Sequence, residues 1–201
     1  MIWFVGGING AGKSTVSGNA LLLTLMGVRS VINPDLIARE IARTRSIDYA
    51  LANLSAAIMT QSMVFNEAIL SDSPVIAMET VLSTTKYNPI LDIASQRGFE
   101  VGLIYVSVQN VELTLKRIET RTAAGLHNVP EATVRQRWNK TLQNCAAWAP
   151  RVDRLIVLAN NGSEGRVVPV ARKVSKSSPI DILDRQELPE LVELLSNIKR
   201  S

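Results

Sequence analysis

The sequence predicts an α/β fold in three layers, with a mostly parallel sheet carrying helices on both faces. Two observations predict it. Short apolar runs alternate with longer helical stretches along all 201 residues, and parallel strands need such crossovers between them. The first run, Ile2–Val5, is apolar at every position, as a strand covered on both faces must be. It passes directly into a glycine-rich turn and then a helix.

The elements follow in order. The first helix runs from about Lys13 to Met26. A second short strand, Ser30–Ile32, ends at Asn33-Pro34-Asp35, a turn that also suits the cap of the next helix. A long helical region from about Ile47 to Leu70 carries Leu51, Leu54, Ile58, Phe65 and Ile69 at spacings of three, four and seven, which predicts that this face is buried. Val75–Met78 is the third strand, and Val101–Val106, preceded by a helix that stops at Gly98, is the fourth. A helix from about Asn110 to Thr122 leads into a loop over 123–128. There Asn128-Val129-Pro130-Glu131 reads as a cap with an acid at the third helical position, and the next helix runs to about Asn144. Arg154–Leu158 and Val167–Val170 are late strands around a turn at Asn160-Asn161-Gly162. Lys173–Pro179 is polar and linker-like, and Leu188–Ile198 is a terminal amphipathic helix.

Composition removes several classes of protein. The single cysteine, Cys145, excludes an intrachain disulfide and is expected in the core, while the single histidine, His127, makes a histidine-cluster metal site implausible. No apolar run reaches the ~18 residues of a membrane helix, and the amino terminus lacks a basic leader, so the expected compartment is the cytoplasm. The net charge is only +4 and no dense Lys/Arg block is present, which suits a phosphate-bearing ligand and argues against a nucleic-acid partner.

The strongest motif is Gly7-Ile8-Asn9-Gly10-Ala11-Gly12-Lys13-Ser14, followed by Thr15, which fits the phosphate-loop pattern G-x-x-x-x-G-K-[ST] in its required setting of strand before and helix after. Glycines let backbone amides converge on phosphate oxygens, and the helix that begins near Lys13 adds its positive end. Lys13 is expected on the β- and γ-phosphates and the Ser14 hydroxyl on Mg²⁺, so the expected cofactors are ATP and Mg²⁺. The fold class is therefore that of a P-loop NTPase, and the loop alone does not separate kinases, GTPases and mechanical ATPases. The domain is expected over 1–172, with 173–201 a linker and a helix packed on it.

Asp35 lies just beyond the second strand, on the edge of the sheet that faces the ligand crevice. A carboxylate there can take the proton of an acceptor hydroxyl that attacks the γ-phosphorus; its competing role is to cap the following helix. Glu79 ends an apolar strand as a Walker B acid does, and could hold Mg²⁺ through water, grip a substrate hydroxyl, or be a surface acid. Thr80 and Ser83 can donate to the same region. Arg117, Arg121, His127, Arg135 and Arg137 flank the loop from Thr122 to Pro130, where cationic side chains could close over the transferring phosphoryl group. Arg117 and Arg121 share a helix face. Arg135 and Arg137 are two apart, so one of them points inward, and at least two of the four arginines are solvated. His127 is expected to contact phosphate or sugar, and Lys116 to pair with Glu112 on the surface.

Taken together, Gly6–Thr15, Asn33-Pro34-Asp35, Glu79-Thr80-Val81-Leu82-Ser83 and Gly125-Leu126-His127-Asn128-Val129-Pro130-Glu131 resemble the zeta toxin-like P-loop kinases, in their chromosomal branch. The motifs span about two-thirds of the chain. The resemblance implies ATP-dependent phosphorylation of the sugar of UDP-N-acetylglucosamine, with Asp35 as base, Lys13 and Ser14 on triphosphate and Mg²⁺, Glu79 on the aminosugar and Arg117 on the transferring group. It admits an antitoxin partner, which the sequence itself does not indicate. Two positions depart from the family. Its substrate-binding threonine falls on Val81, so Thr80 or Ser83 substitutes, and its second catalytic arginine falls on His127, so Arg121 or Arg135 supplies that charge. Kinases of other small metabolites and a nucleotide-dependent switch are the competing functions.

Overall fold

The computed structural model describes residues 1–123, 128–162 and 167–198. In chain order the elements are β1 (Ile2–Gly6), α1 (Lys13–Ser17), α2 (Ala20–Met26), α3 (Pro34–Arg45), α4 (Tyr49–Leu70), β2 (Ile76–Thr80), α5 (Asn88–Arg97), β3 (Val101–Ser107), α6 (Val111–Ala123), α7 (Glu131–Trp148), β4 (Arg154–Ala159), β5 (Val168–Lys173), β6 (Asp181–Ile182) and α8 (Pro189–Ser196). The sheet order is β2-β1-β3-β4-β5-β6, with the first four strands parallel and the last two antiparallel. The predicted α/β fold with a mostly parallel sheet is the observed one. Chain order reverses at β1, which has β2 on one side and β3 on the other. The crevice beyond the carboxyl end of β1 is therefore where a ligand belongs.

Burial explains the two central strands. Every residue of β1 and β3 is buried, so neither alternates with polar positions. Trp3 lies in register with Gly102 across the pair, and a methyl group built on Gly102 would stand 2.3–2.6 Å from its ring carbons. Gly102 is thus a space requirement of Trp3. Gly102→Ala should cost about 1–3 kcal/mol through overpacking, read as a lower denaturant midpoint at unchanged slope. On the far side of β1, Phe4 packs 5.2 Å from the Tyr87 ring and edge-on to Trp148 at 5.1 Å.

Several elements differ from expectation. The first helix is two: Asn19 accepts hydrogen bonds from the amides of Leu21 and Leu22 and starts α2 after a break at Gly18. The second strand shrinks to one parallel bridge, Ile32 to Met78, because the Asn33-Pro34 turn begins α3 immediately after it. The largest reversal is in α4. Its buried residues are Ala52, Ala56, Thr60, Val64 and Ala68, whereas Leu51, Leu54, Ile58 and Ile69 are 50–60% exposed. Small side chains win the inner face because α3 packs closely against α4.

Helix α7 starts at Glu131 after Pro130, with no side-chain cap from Asn128, and continues to Trp148. Lys173, expected in a polar linker, ends β5 and is buried. Its Nζ donates to the carbonyl oxygens of Ala149, Pro150 and Val152 at 2.9–3.2 Å, closing the carboxyl end of α7. Helix α8 places Leu191, Val192 and Leu195 in the core, beside Leu188 just before it. Cys145 is buried there too, and burial pushes its thiol pKa up. Among the described residues no helix is long and apolar enough to cross a membrane.

Candidate active site

The loop between β1 and α1 is built around glycines that nothing larger can replace. Gly7 has φ +144°, and a Cβ there would lie 2.1 Å from the Val106 carbonyl oxygen of β3. Gly12 has φ +96°, and its Cβ would meet Asn160 Nδ2 at 2.2 Å. Asn160 is buried after β4 and donates from Nδ2 to the carbonyl oxygen of Ala11 at 2.9 Å. It therefore ties the loop to the end of β4. No sequence pattern marked it, because its role depends on a contact between residues far apart in the chain. Asn160→Ala would leave the Ala11 carbonyl unpaired, at a cost of about 1–3 kcal/mol. The expected result is a lower melting temperature together with weaker nucleotide binding by calorimetry.

Lys13 begins α1 and its Nζ donates to the Ile8 carbonyl oxygen at 3.1 Å. Its pKa is held below the ordinary value of 10.5, chiefly by burial; Glu79 and Asp35 pull it back up, and Arg121 and Arg137 push it further down. The electrostatic neighbours of this one ammonium are thus two acids and two guanidinium groups, drawn from β2, α3, α6 and α7. Because α1 is only five residues long, the loop amides outweigh any helix dipole in holding a phosphate.

Glu79, on β2, is buried and turned toward α1. It accepts from Ser14 Oγ at 3.2 Å and from Ser17 Oγ at 2.5 Å, and Asn33 Nδ2 donates to Ser14 Oγ at 3.2 Å. The Ser14 hydroxyl and the Glu79 carboxylate form an all-oxygen pair at the end of the loop, the donor chemistry that Mg²⁺ takes when phosphates and water complete its shell. Ser17 is a further contributor, outside the expected residues.

The two readings of Asp35 separate here. Asn33 is the cap of α3: its Oδ1 accepts from the amides of Asp35 at 2.9 Å and Leu36 at 3.3 Å. The Asp35 carboxylate, in the first turn, is left for the cleft. That cleft, of about 440 Å³, opens beside Lys13 and is lined by Asp35, Glu79, Thr80, Ser83, Lys86 and Arg137 among others. Thr80 Oγ1 accepts from the Leu82 amide at 3.1 Å. Leu82 holds φ +58°, a left-handed conformation unusual for a branched residue. Helix α7 secures it, with Thr141 Oγ1 donating to the Val81 carbonyl at 2.7 Å and Asn144 Nδ2 to the Leu82 carbonyl at 2.8 Å.

The arginines separate by direction. Arg137 reaches Asn9 Oδ1 at 3.1 Å and lines the cleft. Arg135, two residues before it, instead lies on the surface between Glu131 and Glu112, with three contacts of 2.7–3.1 Å that raise its pKa. Glu112 therefore pairs with Arg135 and not with Lys116. Arg117 is half-buried and donates to the Gly162 carbonyl at 3.2 Å, with its pKa lowered by burial; Arg121 lies within electrostatic reach of Lys13. Thr15 is exposed on α1, and His127 lies outside the described residues. Among the described residues no cluster of His, Cys, Asp and Glu could bind a metal without phosphate oxygens.

The AAA domain family profile matches residues 2–147. An "Uncharacterized protein" of Haemophilus influenzae is 31% identical over 135 residues, 67% of this chain and 90% of its own. Among solved structures, a chain of the AvrRxo1-ORF1:-ORF2 complex with ATP superposes with a TM-score of 0.73 at 14% identity; the match covers 100% of this chain but only 65% of that one. A chain of the PezAT chromosomal toxin-antitoxin system of Streptococcus pneumoniae gives 0.58 at 17% identity, covering 84% of this chain and 70% of that one. The chain belongs to the AAA domain family, and its fold is the P-loop NTPase kinase-like α/β fold.

Proposed function

We propose that this protein is an ATP- and Mg²⁺-dependent phosphotransferase that acts on a hydroxyl of a small anionic acceptor, with a UDP-N-acetylglucosamine-type sugar nucleotide as the leading candidate. One observation carries the reading: the phosphate loop opens into a cleft in which the Asp35 carboxylate, released from capping duty by Asn33, shares the walls with Lys13 and Glu79. In this reading Asp35 takes the proton of the acceptor hydroxyl as its oxygen bonds to the γ-phosphorus, the bridging bond to the β-phosphate breaks, and ADP leaves. Lys13, with Arg121 and Arg137 behind it, meets the charge that spreads over the γ-oxygens. Ser14 and Glu79 are the residues that would hold Mg²⁺, which would supply positive charge against the triphosphate.

The cleft supports an anionic acceptor. Lys86 lines it with its ammonium 4.8 Å from the Tyr87 ring centroid, and among the described residues no carboxylate pairs with it. A sugar-linked diphosphate supplies the missing anion. Thr80, Ser83 and Thr133 add neutral hydrogen-bonding groups suited to sugar hydroxyls. The same reading places the protein in the cytoplasm, where ATP and sugar nucleotides are made, and allows an antitoxin-like protein partner such as the PezAT system has.

The test is incubation with ATP, Mg²⁺ and UDP-N-acetylglucosamine, with Lys13→Ala as control and mass spectrometry as readout. A phosphorylated sugar nucleotide that depends on Lys13 supports the full reading. ATP hydrolysis or binding without that product discards the sugar nucleotide and calls for a metabolite pool in its place.

A further inference from the structure

The turn after β2 is held in a costly conformation. Leu82 has φ +58°, and a residue with a side chain of that size keeps a left-handed backbone only where its surroundings enforce it. The side chain is one restraint. It is 2% exposed and lies over Gly6, where a Cβ would stand 3.4 Å from Leu82 Cδ2, so the turn abuts the strand that leads into the phosphate loop. Helix α7 is the other restraint, since Thr141 Oγ1 donates to the Val81 carbonyl at 2.7 Å and Asn144 Nδ2 to the Leu82 carbonyl at 2.8 Å. Successive carbonyls of an extended strand point to opposite edges, so one helix takes both only because the chain turns at Leu82. Thr141 is itself fixed: it is buried and accepts from the Tyr105 hydroxyl of β3 at 3.2 Å. Burial raises the pKa of that phenol, which therefore keeps the proton it donates.

We propose that Thr141 and Asn144 are positioning residues for the acceptor, acting through this turn, an inference that rests on the phosphotransferase reading above. Thr80, Val81, Leu82 and Ser83 all line the cleft, whereas neither Thr141 nor Asn144 does, so any effect of the pair passes through the backbone it holds. Thr80 Oγ1 accepts from the Leu82 amide at 3.1 Å, which leaves its own proton free for an oxygen of a bound ligand. A turn relaxed to negative φ would lose that bond and the two carbonyl bonds together, and the Thr80 hydroxyl would lose its aim. The same face of α7 carries Arg137, four residues before Thr141 and seven before Asn144, which donates to Asn9 of the phosphate loop at 3.1 Å. One helix thus holds the nucleotide loop and the acceptor turn in a single frame, and fixes the distance from the triphosphate to the hydroxyl that attacks it.

Amide hydrogen exchange and steady-state kinetics on the full chain test this together. Thr141→Val keeps the shape of the side chain without its hydroxyl, and Thr141→Ser keeps the hydroxyl. Asn144→Leu removes the second donor and carries the test if Thr141→Val fails to fold. Thr141→Val is expected to speed exchange of the Leu82 amide about tenfold or more, with Thr141→Ser close to wild type. The Ala11 amide, bonded to the Ile8 carbonyl within the phosphate loop, should not change. With UDP-N-acetylglucosamine as acceptor, the KM for the acceptor should rise about tenfold while that for ATP stays within about twofold. Leu82 exchange that Thr141→Val leaves unchanged overturns the proposal. A freed turn with an unchanged acceptor KM, or with both KM values raised alike, overturns it equally, because the pair is then structural only. A wild type that makes no phosphorylated sugar nucleotide, but whose Leu82 amide responds as expected, overturns that choice of acceptor and supports the clamp, so the two failures are told apart.

Discussion

Asp35→Asn is expected to lower the rate of the proposed phosphoryl transfer by about 10²–10⁴-fold while ATP binds as before. Asparagine keeps the shape of the side chain but cannot take the proton of an attacking hydroxyl. The substitution leaves helix α3 intact, because Asn33 is its cap and the Asp35 side chain contributes no hydrogen bond to the amides that open the helix. The triphosphate site is also spared, since the loop, Lys13 and Ser14 belong to the β1–α1 unit. Single-turnover rates paired with calorimetric ATP binding check the split. Turnover at the wild-type level would remove Asp35 from the role of base. A nucleotide-dependent switch, which transfers no phosphate, would be indifferent at position 35.

Lys13→Met is expected to lower productive nucleotide use sharply and at the same time to stabilise the nucleotide-free protein. The expected loss follows from removing the phosphate-loop cation that the proposed reaction uses, which for one such donor amounts to about 10²–10³-fold in rate. The gain follows from the depressed pKa of Lys13. Its folded-state pKa lies below the ordinary value of 10.5 because burial disfavours the ammonium more than Glu79 and Asp35 favour it. A base shifted downward in this way binds fewer protons folded than unfolded between the two pKa values, so stability rises as pH climbs through that window. Below the window the charged lysine carries its full cost. The methionine variant has no ammonium to desolvate, so its melting temperature at pH 7 should exceed that of the wild type, and its gain in stability toward alkaline pH should be smaller. Equal melting curves for the two proteins across pH 7–10 would contradict the burial of Lys13 as the cause. The reciprocal result is that ATP and Mg²⁺ raise the melting temperature of wild type and not of the variant.

Much of the candidate site was legible because its signals are local. The loop glycines, Lys13 and Ser14 are contiguous, and each is required by a backbone conformation or a contact that neighbouring residues set up. Glu79 was readable from the apolar run before it, although the hydroxyl donors it takes, from Ser14 and Ser17, were not. Arg137 could be narrowed to one of a pair by helical spacing, but the choice between it and Arg135 needed the position of Glu112 on the neighbouring helix. Asn160 gave no signal, since its partner at Ala11 is 149 residues away.

Helix α4 shows the same division in the fold. Its apolar periodicity correctly marked a helix, and the periodicity of Leu51, Leu54, Ile58 and Ile69 is real, yet those residues face outward. What was determined by the residues alone is whatever depends on neighbours in the chain: the phosphate loop, strands apolar on both faces, and the presence of most helices. Tertiary structure decided which stripe of a two-sided helix turned inward, which arginine reached the cleft, which of Asn33 and Asp35 capped α3, and why Lys173 is buried. The physical reason is that burial and hydrogen bonding are settled by competition among elements. Close α3–α4 packing favours alanine over leucine at the contact, and a carboxylate becomes available for chemistry only when another side chain has satisfied the helix beside it.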